Sequence, residues 1–258
     1  MTLDALQYLL GAVSGGLVGF SLGLFGGGGS ILAVPLMVYV VGVADAHIAI
    51  GTSAVSVASN AALGLISHAR SGTVRWRCAA VYLSAGVFGA LLGSSLGKIV
   101  DGQKLLLLFS LVMVVAGVLM FRRRGLIGDP AAQCTRTNAP KVLSYGGATG
   151  LLSGFFGIGG GFLVVPGLVL STGMTTLNAI GSSLLVVTGF GLTTAVNYAA
   201  SGLVDWTLAL LFVVGGATGS LLGTRMAHAL SARKGVLNTA FATLIICVAL
   251  YMGWRNFN

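Results

Sequence analysis

The sequence predicts an all-α polytopic membrane protein of two inverted repeats, each a glycine-broken helical hairpin followed by three transmembrane helices, about ten helical segments in all. Three observations predict it. Hydrophobic residues make up 56% and charged residues 7% of the 258 positions, with a mean hydropathy of +0.99, against roughly 25% charged in an average soluble domain. The chain repeats itself. Basic residues are also distributed oppositely around the two copies.

The repeat is visible by eye. At an offset of 131, "GGLVGFSLGLFGGGGSILAVP" lies over "GGATGLLSGFFGIGGGFLVVP", so that Gly19, Gly23, Phe25, Gly26, Gly28, Gly29 and Pro35 meet Gly150, Gly154, Phe156, Gly157, Gly159, Gly160 and Pro166. At an offset of 130, "IGTS" (50–53) lies over "IGSS" (180–183), and Gly72, Trp76, Gly86, Gly89 and Gly93 lie over Gly202, Trp206, Gly216, Gly219 and Gly223. One transmembrane domain over 1–258 is therefore expected: a first repeat over about 5–121, a cytoplasmic linker over 122–141 and a second repeat over about 142–255.

In chain order, the start MTLDALQYLL has no basic leader and runs straight into apolar sequence, so no cleavable signal is expected. Segment 6–42 follows, about 37 residues against the roughly 20 that cross a bilayer, with four glycines in a row. It is either one broken span or a hairpin that enters and returns. Ordinary spans are expected near 47–68, 77–97 and 104–121. After the polar, proline-containing linker the pattern recurs: a broken segment at 143–172, then spans near 177–199, 207–227 and 235–254.

Charge chooses the hairpin. The loop after the first ordinary span carries Arg70, Arg75 and Arg77, whereas its counterpart in the second copy carries only Asp205. The next loop nets +1 from Lys98, Asp101 and Lys104, against +3 from Arg225, Arg233 and Lys234. Equivalent loops on opposite sides require an odd number of crossings per copy, which a hairpin supplies. With the Arg122, Arg123, Arg124, Arg136 and Lys141 linker cytoplasmic, both termini lie outside the plasma membrane. The net charge of +9 is thus a topology signal, with no nucleic-acid partner expected. Cys78, Cys134 and Cys247 have no metal-ligand spacing and are expected to be packing or loop residues.

The glycine breaks are the candidate site. Inverted repeats with discontinuous helices are the plan of secondary transporters, which bind substrate where the repeats meet. A helix restarting after Gly26, Gly27, Gly28, Gly29 and Ser30, or after Gly157, Gly159, Gly160 and Gly161, aims unpaired amides and a positive dipole end into the protein, a place for a small anion. Pro35 and Pro166, about one turn on, each free a carbonyl for a hydroxyl, water or coupling cation. Neither cluster is a nucleotide loop, lacking the P-loop lysine or the strand-helix context. The stripes Gly15, Gly19, Gly23 and Gly89, Gly93, Gly97 are spaced for close helix packing instead.

Thr52, Ser53, Ser182 and Ser183 put hydroxyls inside spans, where they either meet substrate or bond their own helix. Asn60 and Asn197, also in apolar spans, face substrate or join helices. His47 and His68 sit near span ends and read as interfacial. No Ser/His/Asp set, buried carboxylate pair or metal cluster is present in the sequence, so neither catalysis nor a cofactor is expected.

The doubled "GFFGIGGGFLVVP" type of element, "IGTS" with "IGSS", and the "SG..RW" and "SGLVDW" stretches together resemble the TauE/SafE family, also called the sulfite exporter family, over nearly the whole chain. The resemblance implies export of sulfite, sulfoacetate or related organosulfonates across the bacterial plasma membrane. The resulting expectation is alternating-access export of a small sulfur-containing anion, driven by membrane potential and protons. The alternatives are a carrier or channel for another small anion such as a carboxylate, and a membrane-embedded enzyme or subunit.

Overall fold

The computed structural model describes residues 4–122, 129, 132, 134–157, 161–231 and 236–257. Helix α1 (Ala5–Phe25) leads through a 3-10 turn (Gly26–Leu32) into the short α2 (Ala33–Leu36), which closes as a π turn (Met37–Val41). Then come α3 (Ala46–Arg70), α4 (Trp76–Gly97), α5 (Gly102–Arg122), α6 (Ala139–Phe156), α7 (Gly161–Thr172), α8 (Thr176–Ala199), α9 (Trp206–Ser231) and α10 (Val236–Phe257). The expected spans thus agree with helices to within a few residues. Among the described residues five segments are long and apolar enough to cross a membrane, and outward side chains are themselves apolar: Leu6, Leu9, Val13 and Leu17 along α1, Leu210 and Val214 on α9. A bilayer is the solvent such a surface requires.

Caps set the helix starts. The Asp4 amide donates to Gln7 Oε1 at 2.9 Å, Asp45 Oδ1 accepts from the His47 and Ile48 amides at 2.8 and 3.3 Å, and Thr175 Oγ1 accepts from the Asn178 amide at 3.4 Å. Each satisfies amides that a helix start leaves without partners.

Both broken segments are hairpins. Gln7 Nε2 donates to the Val41 carbonyl at 3.0 Å, and Gly29 lies against the backbone of Ser21 and Leu22, so α2 returns along α1 to the face from which α1 began. In the second copy Gly167 faces Thr149, and the amide of Asp129, in the linker preceding α6, donates to the Gly173 carbonyl just after α7 at 2.8 Å.

Glycine decides which helices meet. Gly15, Gly19 and Gly23 of α1 lie on Phe212, Gly216 and Ser220 of α9, while Gly146, Gly150 and Gly154 of α6 lie on Tyr82, Gly86 and Ala90 of α4. In both seams a side chain on either helix would overlap the partner's backbone. The first helix of each copy is thus packed in the same direction along the second ordinary span of the other copy. Helices α3 and α8 are counterparts across the repeat and run oppositely: Gly51, Ala58 and Gly64 lie beside Tyr198, Gly191 and Leu184.

The cysteines are less isolated than their spacing suggests. Cys134, of the linker, and Cys78, at the start of α4, are both buried, and their thiols are hydrogen-bonded. Burial, reinforced by Cys78, pushes the Cys134 thiol up to about 12, against the opposing pull of Arg77.

Candidate functional site

The two glycine turns meet each other. Gly27 abuts Gly161 backbone to backbone, so closely that a side chain at 161 would overlap the Gly27 carbonyl. Each turn is also seated on a helix of the other copy. Gly26, with φ +64°, leaves no room between itself and the Ile180 carbonyl and Ser183 hydroxyl of α8, and Gly27 packs on Val187. Gly157, with φ +68°, presses on Ile50 of α3. These positive φ values suit glycine, and the crowding independently excludes a side chain.

Hydrogen bonds fix the contact. The Gly27 amide donates to Ser183 Oγ at 2.9 Å, while that hydroxyl donates to the Ile180 carbonyl at 2.7 Å. Ser30 Oγ donates to the Gly27 carbonyl at 2.8 Å. Ser53 Oγ, the counterpart of Ser183, donates to the Ile50 carbonyl at 2.9 Å. All of these side chains are buried.

The motif "IGTS" and its partner "IGSS" can now be explained residue by residue. The isoleucine supports the opposite copy's glycine turn. The glycine admits the opposite copy's loop: Gly51 takes the Leu203 carbonyl and Gly181 takes Thr73. The next hydroxyl holds the residue just before the opposite copy's helix, with Thr52 Oγ1 accepting the Asp205 amide at 2.9 Å and Ser182 Oγ accepting the Arg75 amide at 2.8 Å. Of the final serines, Ser183 reaches the turn itself, and Ser53 bonds the carbonyl of the isoleucine that supports Gly157.

Of the sequence-predicted residues, Gly26, Gly27, Ser30, Gly161 and Ser183 come together, with Gly157 beside Ile50 and Ser53 bonded to that residue's carbonyl. Gly28 and Gly29 are buried in the same turn. Gly159 and Gly160 lie outside the described residues. The expected helix start exists at Gly161, but the first copy winds through a 3-10 turn in which the Ala33 amide donates to the Ser30 carbonyl. Phe156, at the end of α6, and Phe162, at the start of α7, pack on Phe109 of α5 at 5.5 and 6.0 Å between ring centres.

The two asparagines lie elsewhere. Asn60 faces α9, with Nδ2 3.5 Å from the Phe212 carbonyl and Gly216 making room for it; its Oδ1 is buried without a hydrogen-bond partner. Asn197 clasps the ends of α4 and α8 together: Nδ2 donates to Ser94 and Ser95 at 2.6 and 3.1 Å, and Oδ1 accepts from Lys98 Nζ at 2.8 Å. His68, expected at an interface, is buried, its Nδ1 3.0 Å from Thr73 Oγ1 and its Nε2 3.3 Å from the Gly23 carbonyl. Ile50, Ile180 and Val187, which wall the turns, carry no signal that distinguishes them from other core residues.

A cavity of about 380 Å³ opens on the face of the chain termini, lined by Val43, Ile48, Gly202, Val204, Asp205, Trp206 and Thr207. Asp205 Oδ1 accepts from the Leu208 amide at 3.0 Å and so caps α9.

The sequence profile of the family described as Sulfite exporter TauE/SafE matches residues 11–252. The chain is 54% identical, over 99% of its length and 98% of the relative's, to a "Probable membrane transporter protein" of Xylella fastidiosa (strain 9a5c). It is 25% identical to "Probable membrane transporter protein YdhB" of Bacillus subtilis (strain 168), over 87% of this chain and 91% of that one. No solved structure matches.

Proposed function

Because the chain belongs to the sulfite exporter TauE/SafE family, we propose that it exports a small sulfur-containing anion, sulfite or an organosulfonate, across the plasma membrane by alternating access. The observation that carries this reading is the meeting of two glycine turns at the seam between the copies, each turn held by the other copy. A buried, interrupted backbone at a repeat interface supplies amides to a ligand without burying a cation. The Gly27 amide rests on a neutral hydroxyl, and the α7 amino end abuts the same backbone. An anion oxygen replaces that hydroxyl with a charged acceptor, which makes the stronger hydrogen bond. An inside-negative potential then favours outward movement by about 2.3 kcal/mol per charge per 100 mV, with protons as the proposed coupling ion.

The antiparallel run of α3 and α8 supports inverted repeats, and charge supports their orientation. The connections α3–α4, α5–α6 and α9–α10, with adjoining helix turns, carry eleven of the 14 Lys and Arg: Arg70, Arg75, Arg77, Arg122, Arg123, Arg124, Arg136, Lys141, Arg225, Arg233 and Lys234. That face is cytoplasmic in this reading, and the termini are outside. In a background lacking Cys78, Cys134 and Cys247, a cysteine at Ser201 should react with an impermeant maleimide from outside and one at Ser71 only from the cytoplasm. Labelling of both from one side refutes the inversion.

Flux decides the function. Purified protein in liposomes should move labelled sulfite or sulfoacetate with saturation and counterflow, unaided by another protein. Saturable movement of a small carboxylate in place of either would reassign the substrate. Non-saturating flux would make the protein a channel.

A further inference from the structure

The two faces of the seam use the same backbone joints but different charges. Positions 75 and 205 are equivalent across the repeat, and their amides make the same bond, to Ser182 and to Thr52. One is arginine and the other aspartate. Positions 45 and 175 are also equivalent, and each caps the first ordinary span of its copy: Asp45 with a carboxylate, Thr175 with a hydroxyl. At both pairs the terminal face has the carboxylate, and the linker face has a neutral or cationic residue.

Capping does not explain the difference. Asparagine and serine, both neutral, cap as well as aspartate does, and a neutral hydroxyl, that of Thr175, caps the equivalent helix in this chain. Both carboxylates belong to one end of the fold: Asp205 lines the cavity of about 380 Å³, and Asp45 bonds the amide of Ile48, another residue of that lining. Through Thr52 and Ile50 the same wall leads to Ser53 and to the turn at Gly157.

We infer that Asp45 and Asp205 form an acidic mouth that lowers the affinity of the substrate site for anions when it opens to the terminal face, so that an anion carried there is released and not recaptured. This rests on the anion-export reading and adds the residues that make its two sides unequal. A carboxylate repels an anion over several ångströms in a partly wet cavity, and salt weakens the repulsion. A carrier cannot alter the equilibrium between compartments, so weaker binding on one side is matched by a shift in the conformational balance of the loaded protein. The pair sets the half-saturating concentration on one face only.

The test uses the full-length chain in right-side-out and inside-out membrane vesicles, with labelled sulfite as probe. Asp45→Asn together with Asp205→Asn keeps both caps and removes both charges. The half-saturating concentration on the terminal face should fall about three- to tenfold, with that on the linker face unchanged, and only the terminal-face value should lose its dependence on ionic strength. Arg75→Gln, whose backbone bond to Ser182 is untouched, should raise the linker-face value instead. Equal shifts on both faces, or none, in a protein that transports would overturn the inference alone. Absence of saturable sulfite flux in the unsubstituted protein would overturn the export reading and this inference with it.

Discussion

Gly161→Val should abolish most anion flux while leaving a folded protein. The valine side chain must displace the Gly27 carbonyl, which belongs to backbone that is itself wedged against Val187, while Gly26 beside it is wedged against Ile180 and Ser183. Overpacking of this kind costs about 1 to 3 kcal/mol, and each 1.4 kcal/mol is tenfold, so flux should fall by about one to two orders of magnitude. The long glycine seams α1–α9 and α4–α6 do not include position 161, so the protein should still elute as a single folded species. Ser183→Ala tests the same contact from the other side. It leaves the Gly27 amide without its acceptor, at about 1 to 3 kcal/mol, and should lower both thermal stability and flux to a similar degree. Unimpaired sulfite flux in folded Gly161→Val protein would remove the turn contact from the mechanism.

The second large effect is on folding. Gly150→Leu should yield no monodisperse protein, because its side chain would enter the backbone of Gly86, where α6 and α4 touch. Gly147, three residues earlier on the same helix, has nothing within 4 Å of where its side chain would begin. Gly147→Leu should therefore elute like the unsubstituted protein, and Gly147→Ala should gain about 0.5 to 1 kcal/mol from lost chain entropy. Fluorescence-detected size exclusion in detergent reads all three. Equal behaviour of Gly147→Leu and Gly150→Leu would mean that the seam yields easily.

The contrast between these glycines shows what a sequence conceals. Spacing identified Gly15, Gly19 and Gly23 as a packing stripe, and α9 is indeed there. Spacing could not name α9, since Gly16 and Gly147 interrupt the same pattern while facing open or loosely filled space. Hydropathy located the spans because a bilayer imposes a length on each. The turns were visible because glycine runs are rare inside spans. Their seating was not, because the interval from Gly27 to Ser53 resembles that from Gly157 to Ser183, and the contact joins Gly27 to Ser183. Asn197 and Lys98 likewise meet across copies, which no local pattern reports.

The pairing of α1 with α9 also has a consequence for how the protein is made. Gly15 and Phe212 are separated by about 200 residues, which a ribosome adds in roughly 10 to 40 s at about 5 to 20 residues per second. Throughout that interval the glycine stripe of α1 and its returning hairpin lie in lipid without their partner, and Gly27 lacks the hydroxyl that holds it. Neither half of the chain can complete its own core, so the two copies assemble as one late, cooperative event instead of one after the other. Half-length chains supplied together should be a better substrate for folding than either alone, and a ribosome stalled before α9 leaves a quality-control target instead of half a transporter.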